Sequence, residues 1–302
     1  MSAGAPAVPT AAAEVRRWRV FTLAPAVVIY LMLALLPIVN LLVMSVHDIR
    51  WEEGEAHWTF VGLRHFAALP GDPLVRAGLA NTVLFAALSV AAEMVLGFFL
   101  AVLVSRAVAG RTVYRTIFLL PILIPGIVIG AIWKLMYNPD FGIINQALGW
   151  IGLQGHDWLG DATLAFASIV VVDVWHWTPF VFLLLLAGIE ALPQDTYEAA
   201  RVDGASAWQE LRYVTLPMML PTLLVTLVFR LVVSFKVFDE VYLLTGGGPG
   251  TATEVVSFTI FRRFFTEDRA GYGAAISVVV LFILALIIVL ALAPTRRRAA
   301  LR

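Results

Sequence analysis

Six stretches of this chain are too long and too apolar to be one face of a water-soluble domain. Residues 21–45, 79–105, 116–137, 163–189, 216–238 and 272–293 each run for at least 22 positions with few or no charges, and about 20 such residues suffice for a helix to cross the hydrocarbon of a bilayer. The first, at 25 residues, would be about 37 Å long as a helix. It also outlasts the roughly 7–15-residue apolar core of a cleaved signal peptide. Hydrophobic residues make up 61% of the chain and charged residues 14%, against about 25% charged in soluble domains. Backbone amides in lipid must be satisfied within the segment, so the spans are helical. The expected fold is therefore an all-α, polytopic integral membrane protein with six transmembrane helices at 21–293. Residues 1–20 and 294–302 would form short tails, and a polar loop at 190–217 separates the fourth and fifth spans.

Orientation follows from arginine and lysine, which are in excess on the cytoplasmic side of short loops. Twelve of the 21 cations fall in the N-terminus, the second-to-third connection, the 190–217 loop and the C-terminus; six fall on the opposite side. Both termini and the 190–217 loop are thus expected in the cytoplasm of a multi-pass, bacterial-type cell membrane protein. The last three cations, Lys134, Arg230 and Lys236, lie inside the spans. The first dozen residues, rich in Ala and Pro, read as a disordered tail.

Cysteine is absent, which excludes disulfides, thiolate metal sites and cysteine nucleophiles. No GxxxxGK[ST] phosphate loop is present; TGGGPG at 245–250 has no lysine after it and faces outward. The longest outer loops, about 30 residues, are too short for a second domain.

The polar loop carries EAARVDGASAWQELRYVTLP at 198–217. Its local signals predict two short helices meeting at a turn. Asp195 with Glu198, and Ser206 with Gln209, have capping-box spacing. Gly204 falls where a left-handed residue ends the first helix, and Pro193 and Pro217 bracket the unit. Ala199, Ala200 and Gly204 leave one face nearly bare, so another protein can approach closely. The competing reading is an amphipathic helix lying on lipid headgroups, against which stands the lack of a wide apolar stripe.

Glu198-Ala199-Ala200, then Gly204 after three residues, Val214 after nine more, and Leu216-Pro217 together resemble the EAA loop of binding-protein-dependent ABC importer permeases. Only Val214, where isoleucine is usual, departs. The resemblance implies a coupling helix that enters a cleft on a separate ATPase subunit, with Glu198, Ala199, Ala200, Asp203, Leu216 and Pro217 at the contact and Gly204 permitting the turn. It implies two such ATPase subunits, a second related permease in a heterodimer, an extracytoplasmic sugar-binding protein and a sugar cargo. ATP and Mg would sit on the partner. This chain would carry no cofactor, metal or catalytic residue, would not itself be an enzyme, and would bind no nucleic acid.

Ionisable residues at the bilayer centre cost about 2.5–3.5 kcal/mol on insertion scales, so they face cavities or other helices. Glu93, Lys134, Asp173, His176, Arg230 and Lys236 are such residues. In DVWHWTPF at 173–180, Asp173, His176, Trp177 and Phe180 share one helical face, and Pro179 adds a kink. Aromatic rings beside polar groups suit a sugar. Alternatively Trp175 and Trp177 belong to the interfacial aromatic belt and His176 bonds a neighbouring helix. In maltose-type permeases, which this chain resembles, the matching segment lines the sugar site. The resemblance also puts Ser234 and Gly126 at lining positions, while SFKVFDEVYLLTGGGP resembles the carbohydrate-uptake branch. Lys236 and Asp239 either bind cargo or pair with each other. A glycerol phosphate cargo would use Lys236 and Arg230; a neutral sugar is the preferred reading. The rivals from other classes are an ion-gradient-driven carrier using Glu93 and Asp173, for which no internal repeat is visible, and an intramembrane hydrolase built on Ser168 and Asp173, which fall on different faces.

Overall fold

The computed structural model describes residues 11–106 and 111–299. Helix α1 (Ala11–Ser45) leads into a hairpin of β1 (His47–Glu52) and β2 (Glu55–Phe60), joined by a two-residue turn at Glu53 and Gly54. Short α2 (Arg64–Ala68) then leads to α3 (Pro73–Arg106). The hairpin is the one strand pair among the described residues, an addition to an otherwise helical chain. Helix α1 starts ten residues before the span expected from hydropathy. The tail expected at the first dozen residues otherwise lies outside the described residues, as do positions 300–302.

The third span, whose helix Pro121 and Pro125 are expected to loosen, is broken outright. Helix α4 (Arg111–Leu119) gives way to a 3-10 turn at Pro121–Leu123, and α5 (Gly126–Met136) leaves at 97° to the incoming segment. Two prolines explain the break. Pro121 has no amide to donate, and Ile124, lying before Pro125, is pushed to extended backbone (φ −85°, ψ 127°). Five other helices are long and apolar enough to cross a membrane, and the bent pair makes a sixth.

After α6 (Ile143–Trp150) comes α7 (Ala162–Glu190), capped by the Asp161 carboxylate, which accepts from the amides of Thr163 and Leu164. The loop follows as α8 (Gln194–Val202) and α9 (Ala207–Gln209), then a π-helical turn (Glu210–Thr215) that runs directly into α10 (Leu216–Ser234). Pro217 therefore does not end the unit. It sits at the second position of α10, directly after the widened π-helical turn, and the winding continues past it although Pro217 has no amide to donate. Short α11 (Asp239–Leu244) and α12 (Val256–Phe261) precede the last span, α13 (Ala270–Ala299).

Helices α3 and α7 form the spine. Ala101, Val181, Phe182, Leu185 and Met219 pack them against α10 on one side of the membrane, and Phe85, Ile129, Ile169, Val172 and Val241 join them to α5 and α11 towards the other. The two spine helices approach closely at Gly97, where a Cβ would lie 2.7 Å from Val181 Cγ1 and 3.0 Å from the Phe182 amide nitrogen. By contrast α1 packs mainly along α13 and leaves nearly all its apolar surface exposed.

Forcing the spine apart should be costly. Gly97→Leu is expected to lose about 1–3 kcal/mol through overpacking, read as a lowered melting temperature in detergent. Gly149→Leu, where no atom lies within 4 Å of a new Cβ, should stay within about 0.5 kcal/mol of the parent. Equal effects at the two positions would contradict this packing.

Candidate functional site

Local sequence dictates the shape of the 190–217 loop. Helix α8 closes in a Schellman arrangement: the Gly204 amide donates to the Arg201 carbonyl and the Ala205 amide to the Ala200 carbonyl. Gly204 sits at φ +80°, a backbone conformation that glycine adopts without strain. Ser206 then caps α9, its hydroxyl accepting from the Gln209 amide while the Gln209 side chain accepts from the Ser206 amide. The capping box expected at Asp195 does not form. Helix α8 begins two residues earlier, with Pro193 as its N-cap and no side-chain cap, so Asp195 falls inside the first turn.

The loop is held rigidly to the fifth span. Tyr197 Oη and Thr215 Oγ1 are 3.0 Å apart, and Arg201 Nε donates to Glu210 Oε1 at 2.9 Å. Glu210 and Thr215 lie in the π-helical turn and are buried, so α8 is tied to the element that becomes α10. Glu198, Ala199, Asp203, Gly204, Leu216 and Pro217 are exposed, and Ala200 is half-buried. Beside them Val202, Trp208 and Tyr213 are 87%, 65% and 69% exposed. Side chains this bare are free to meet another protein or the lipid headgroups.

Inside the membrane, the face of α7 expected from helical spacing is present and turned towards α10 and α11. Arg230, wholly buried on α10, donates through Nε and Nη2 to both oxygens of Glu93 on α3, the Nη2 bond being 2.6 Å. The same Nη2 reaches Asp173 Oδ2 on α7 at 3.0 Å. The Trp177 ring lies 4.5 Å from the guanidinium carbon, a cation–π contact. His176 Nδ1 stands 3.4 Å from Glu240 Oε1 of α11, and Phe180 lies against Phe229 with ring centroids 4.9 Å apart. The glycerol-phosphate reading assigns Arg230 to a cargo phosphate. Here the guanidinium is instead engaged by two carboxylates, because an unpaired charge at this depth is far costlier than a paired one. The same contacts engage Glu93 and Asp173, the two groups an ion-driven carrier would need. Three buried carboxylates, Glu93, Asp173 and Glu240, thus face one arginine and one histidine. Sequence reasoning missed Glu240 although it sits in the SFKVFDEVY run, and missed the Glu93–Arg230 pairing although both residues stood out as intramembrane charges.

Two broken spans meet beside this cluster. The gap before α5 places Gly126 against the carboxylate of Asp239, which a Cβ there would approach to 2.7 Å. The gap between α10 and α11 holds Lys236, exposed and with no ion pair to Asp239 among the described residues. Ser234 is buried, and its hydroxyl, like Arg230 Nη1, has no hydrogen-bond partner among the described residues. Non-helical backbone at membrane depth is tolerated where protein buries it or where it lines a cavity.

Fold and site define a polytopic helical membrane protein with a rigid two-helix loop presented on one side. The chain belongs to the family of binding-protein-dependent transport system inner membrane components, which it matches over residues 93–298. It is 39% identical over 255 residues to the trehalose/maltose transport system permease protein MalF of Thermococcus litoralis, covering 84% of this chain and 85% of that one. It is 32% identical to the probable starch degradation products transport system permease protein AmyD of Thermoanaerobacterium thermosulfurigenes, covering 93% and 94%. Among solved structures it resembles a bacterial ABC transporter involved in the import of the acidic polysaccharide alginate, with a TM-score of 0.81, 25% identity and 93% and 96% coverage.

Arg230→Met should destabilise the protein by about 3 kcal/mol, since it strands two buried carboxylates. Adding Glu93→Gln and Asp173→Asn should recover most of that loss in thermal melts, and a triple variant no more stable than the single one would contradict the assigned pairing.

Proposed function

We propose that this chain is one membrane subunit of an ATP-driven sugar importer, with ATPase subunits docked on its 195–217 loop. The observation that carries the reading is the exposed face of α8 and α9, pinned through Tyr197, Arg201, Glu210 and Thr215 to the fifth span. Closure of an ATPase pair would move the loop, and α10 would follow as its continuation. Arg230 would pass that motion to α3 and α7 through Glu93 and Asp173. Both termini and the loop lie in the cytoplasm on this reading. A second related permease completes the pore, and a sugar-loaded extracytoplasmic protein delivers the cargo. Support for that delivery comes from the similar bacterial alginate ABC transporter, which has been solved in complex with an alginate pentasaccharide-bound periplasmic protein.

Sugar as the cargo class is supported by relatives named for trehalose, maltose and starch products, and by aromatic and polar side chains around the two broken spans. Trp177, Phe180, Ser234, Lys236 and Gly126 are the residues we place along the pathway, with Asp173 and His176 shaping it from within the charge cluster. A neutral sugar fits better than a glycerol phosphate. Of the two cations a phosphate would use, Arg230 is already paired and only Lys236 is exposed.

Substituting Gly204 tests the coupling. Valine at φ +80° carries backbone strain of about 1–3 kcal/mol, although nothing lies within 4 Å of its Cβ. In proteoliposomes with the ATPase subunits and binding protein, Gly204→Val is expected to insert normally and to lower ATP-driven disaccharide uptake at least tenfold. Undiminished uptake would overturn coupling through this loop.

A further inference from the structure

We propose that the crevice between the first two turns of α3, the second and third turns of α13 and the short helix α2 is a phospholipid site, which takes one acyl chain between its walls and the phosphate of the same lipid on Arg76. The inference rests on the membrane-spanning fold and goes beyond the transport reading, since it concerns a surface far from the cytoplasmic loop and uses none of the pathway residues.

The cavity has a volume of about 240 Å³, and its walls include Phe66, Leu69, Val75, Leu79 and Val279. These walls are firm. Leu69, Val75, Ile276 and Val280 belong to a buried cluster with Val256 and Tyr272, so the space does not close by side-chain collapse. An apolar cavity lacks the polar partners that hold water. An acyl chain is apolar, narrow and available at this depth: Val280 lies about 15 Å along the axis from the start of α13 at a rise of about 1.5 Å per residue.

Arg76 supplies the second, independent half of the chemistry. It stands on the first turn of α3, lines the same crevice and is exposed. It forms no ion pair among the described residues. The acid one turn before it, Asp72, is already used: Arg263 Nη2 lies 2.6 Å and Tyr272 Oη 3.0 Å from its Oδ2. Burial alone would raise the Asp72 carboxyl, but the Tyr272 hydroxyl, the Leu74 and Val75 amides and the Arg263 charge together hold it below the usual carboxylate range. Asp72 therefore stays ionised and committed to Arg263. Arg76 is left at the headgroup level with a positive charge above an apolar slot, and an anionic amphiphile matches both parts at once.

Native mass spectrometry of the full chain in detergent, titrated with dioleoyl phosphatidylglycerol, tests this. The parent protein is expected to hold one lipid tightly. Val279→Trp, which fills the slot, should weaken retention about fourfold for each methylene it keeps out, and Leu79→Phe should do the same should the first variant fold poorly in a parallel melting assay. Leu286→Trp, on the exposed face of the same helix, should bind as the parent does. Arg76→Gln should cost about fivefold with phosphatidylglycerol, the contribution of one arginine near an anionic surface, and nothing with uncharged diacylglycerol. Retention by Val279→Trp and Leu79→Phe equal to that of Leu286→Trp would overturn the acyl site. An Arg76→Gln effect of equal size on both lipids would overturn the phosphate contact. No transport is read in this assay, so its outcome does not depend on whether the 190–217 loop couples to an ATPase.

Discussion

One buried guanidinium sets the mechanical character of this protein. Arg230 sits on the fifth span with no solvent exposure and holds Glu93 on the second span and Asp173 on the fourth. In hydrocarbon neither sign of charge survives alone, so each partner depends on the others remaining in place. Side chains packed only by dispersion can slide past one another in small steps. A bidentate arginine between two carboxylates holds one geometry, and three helices therefore shift together or the pairing is lost.

That constraint gives the 190–217 loop its leverage. Helix α9, the π-helical turn and α10 are one continuous winding, and α8 is fastened to it by the Tyr197–Thr215 and Arg201–Glu210 contacts. The Arg201–Glu210 pair is partly exposed on the arginine side and contributes modestly to stability; its role is positional. Near the far end of α10 the backbone breaks at Ser234 and meets the break before α5, at Asp239 and Gly126. A rigid rod with a grip at one end and a broken, polar junction at the other suits a membrane subunit moved from outside its own chain.

Much of this was legible in the sequence, and the parts that were not have identifiable physical reasons. Long apolar runs fix spans because lipid leaves the backbone no alternative, so five of the six expected spans fall on long helices, although α1 starts ten residues before its expected bound and α10 stops four residues short. Gly204 and the Ser206–Gln209 capping box were legible because their hydrogen bonds are local. Asp195 misled because the same spacing rule is satisfied by sequence whether or not the helix starts there. Pro121 and Pro125 signalled a loosened third span, but a 97° bend depends on what packs in the elbow. Arg230 was visible as an intramembrane cation, yet its partners lie 137 and 57 residues away, beyond anything periodicity reports.

The central claim is that the exposed face of α8 and α9 is gripped from the cytoplasm. The chain has no native cysteine, so a single Val202→Cys reporter on the most exposed apolar side chain of the loop gives an unambiguous reading with a membrane-impermeant maleimide. The account predicts labelling in inside-out vesicles, none in right-side-out vesicles, and strong protection once ATPase subunits are bound. Labelling from the outer side, or equal labelling with and without those subunits, would contradict it.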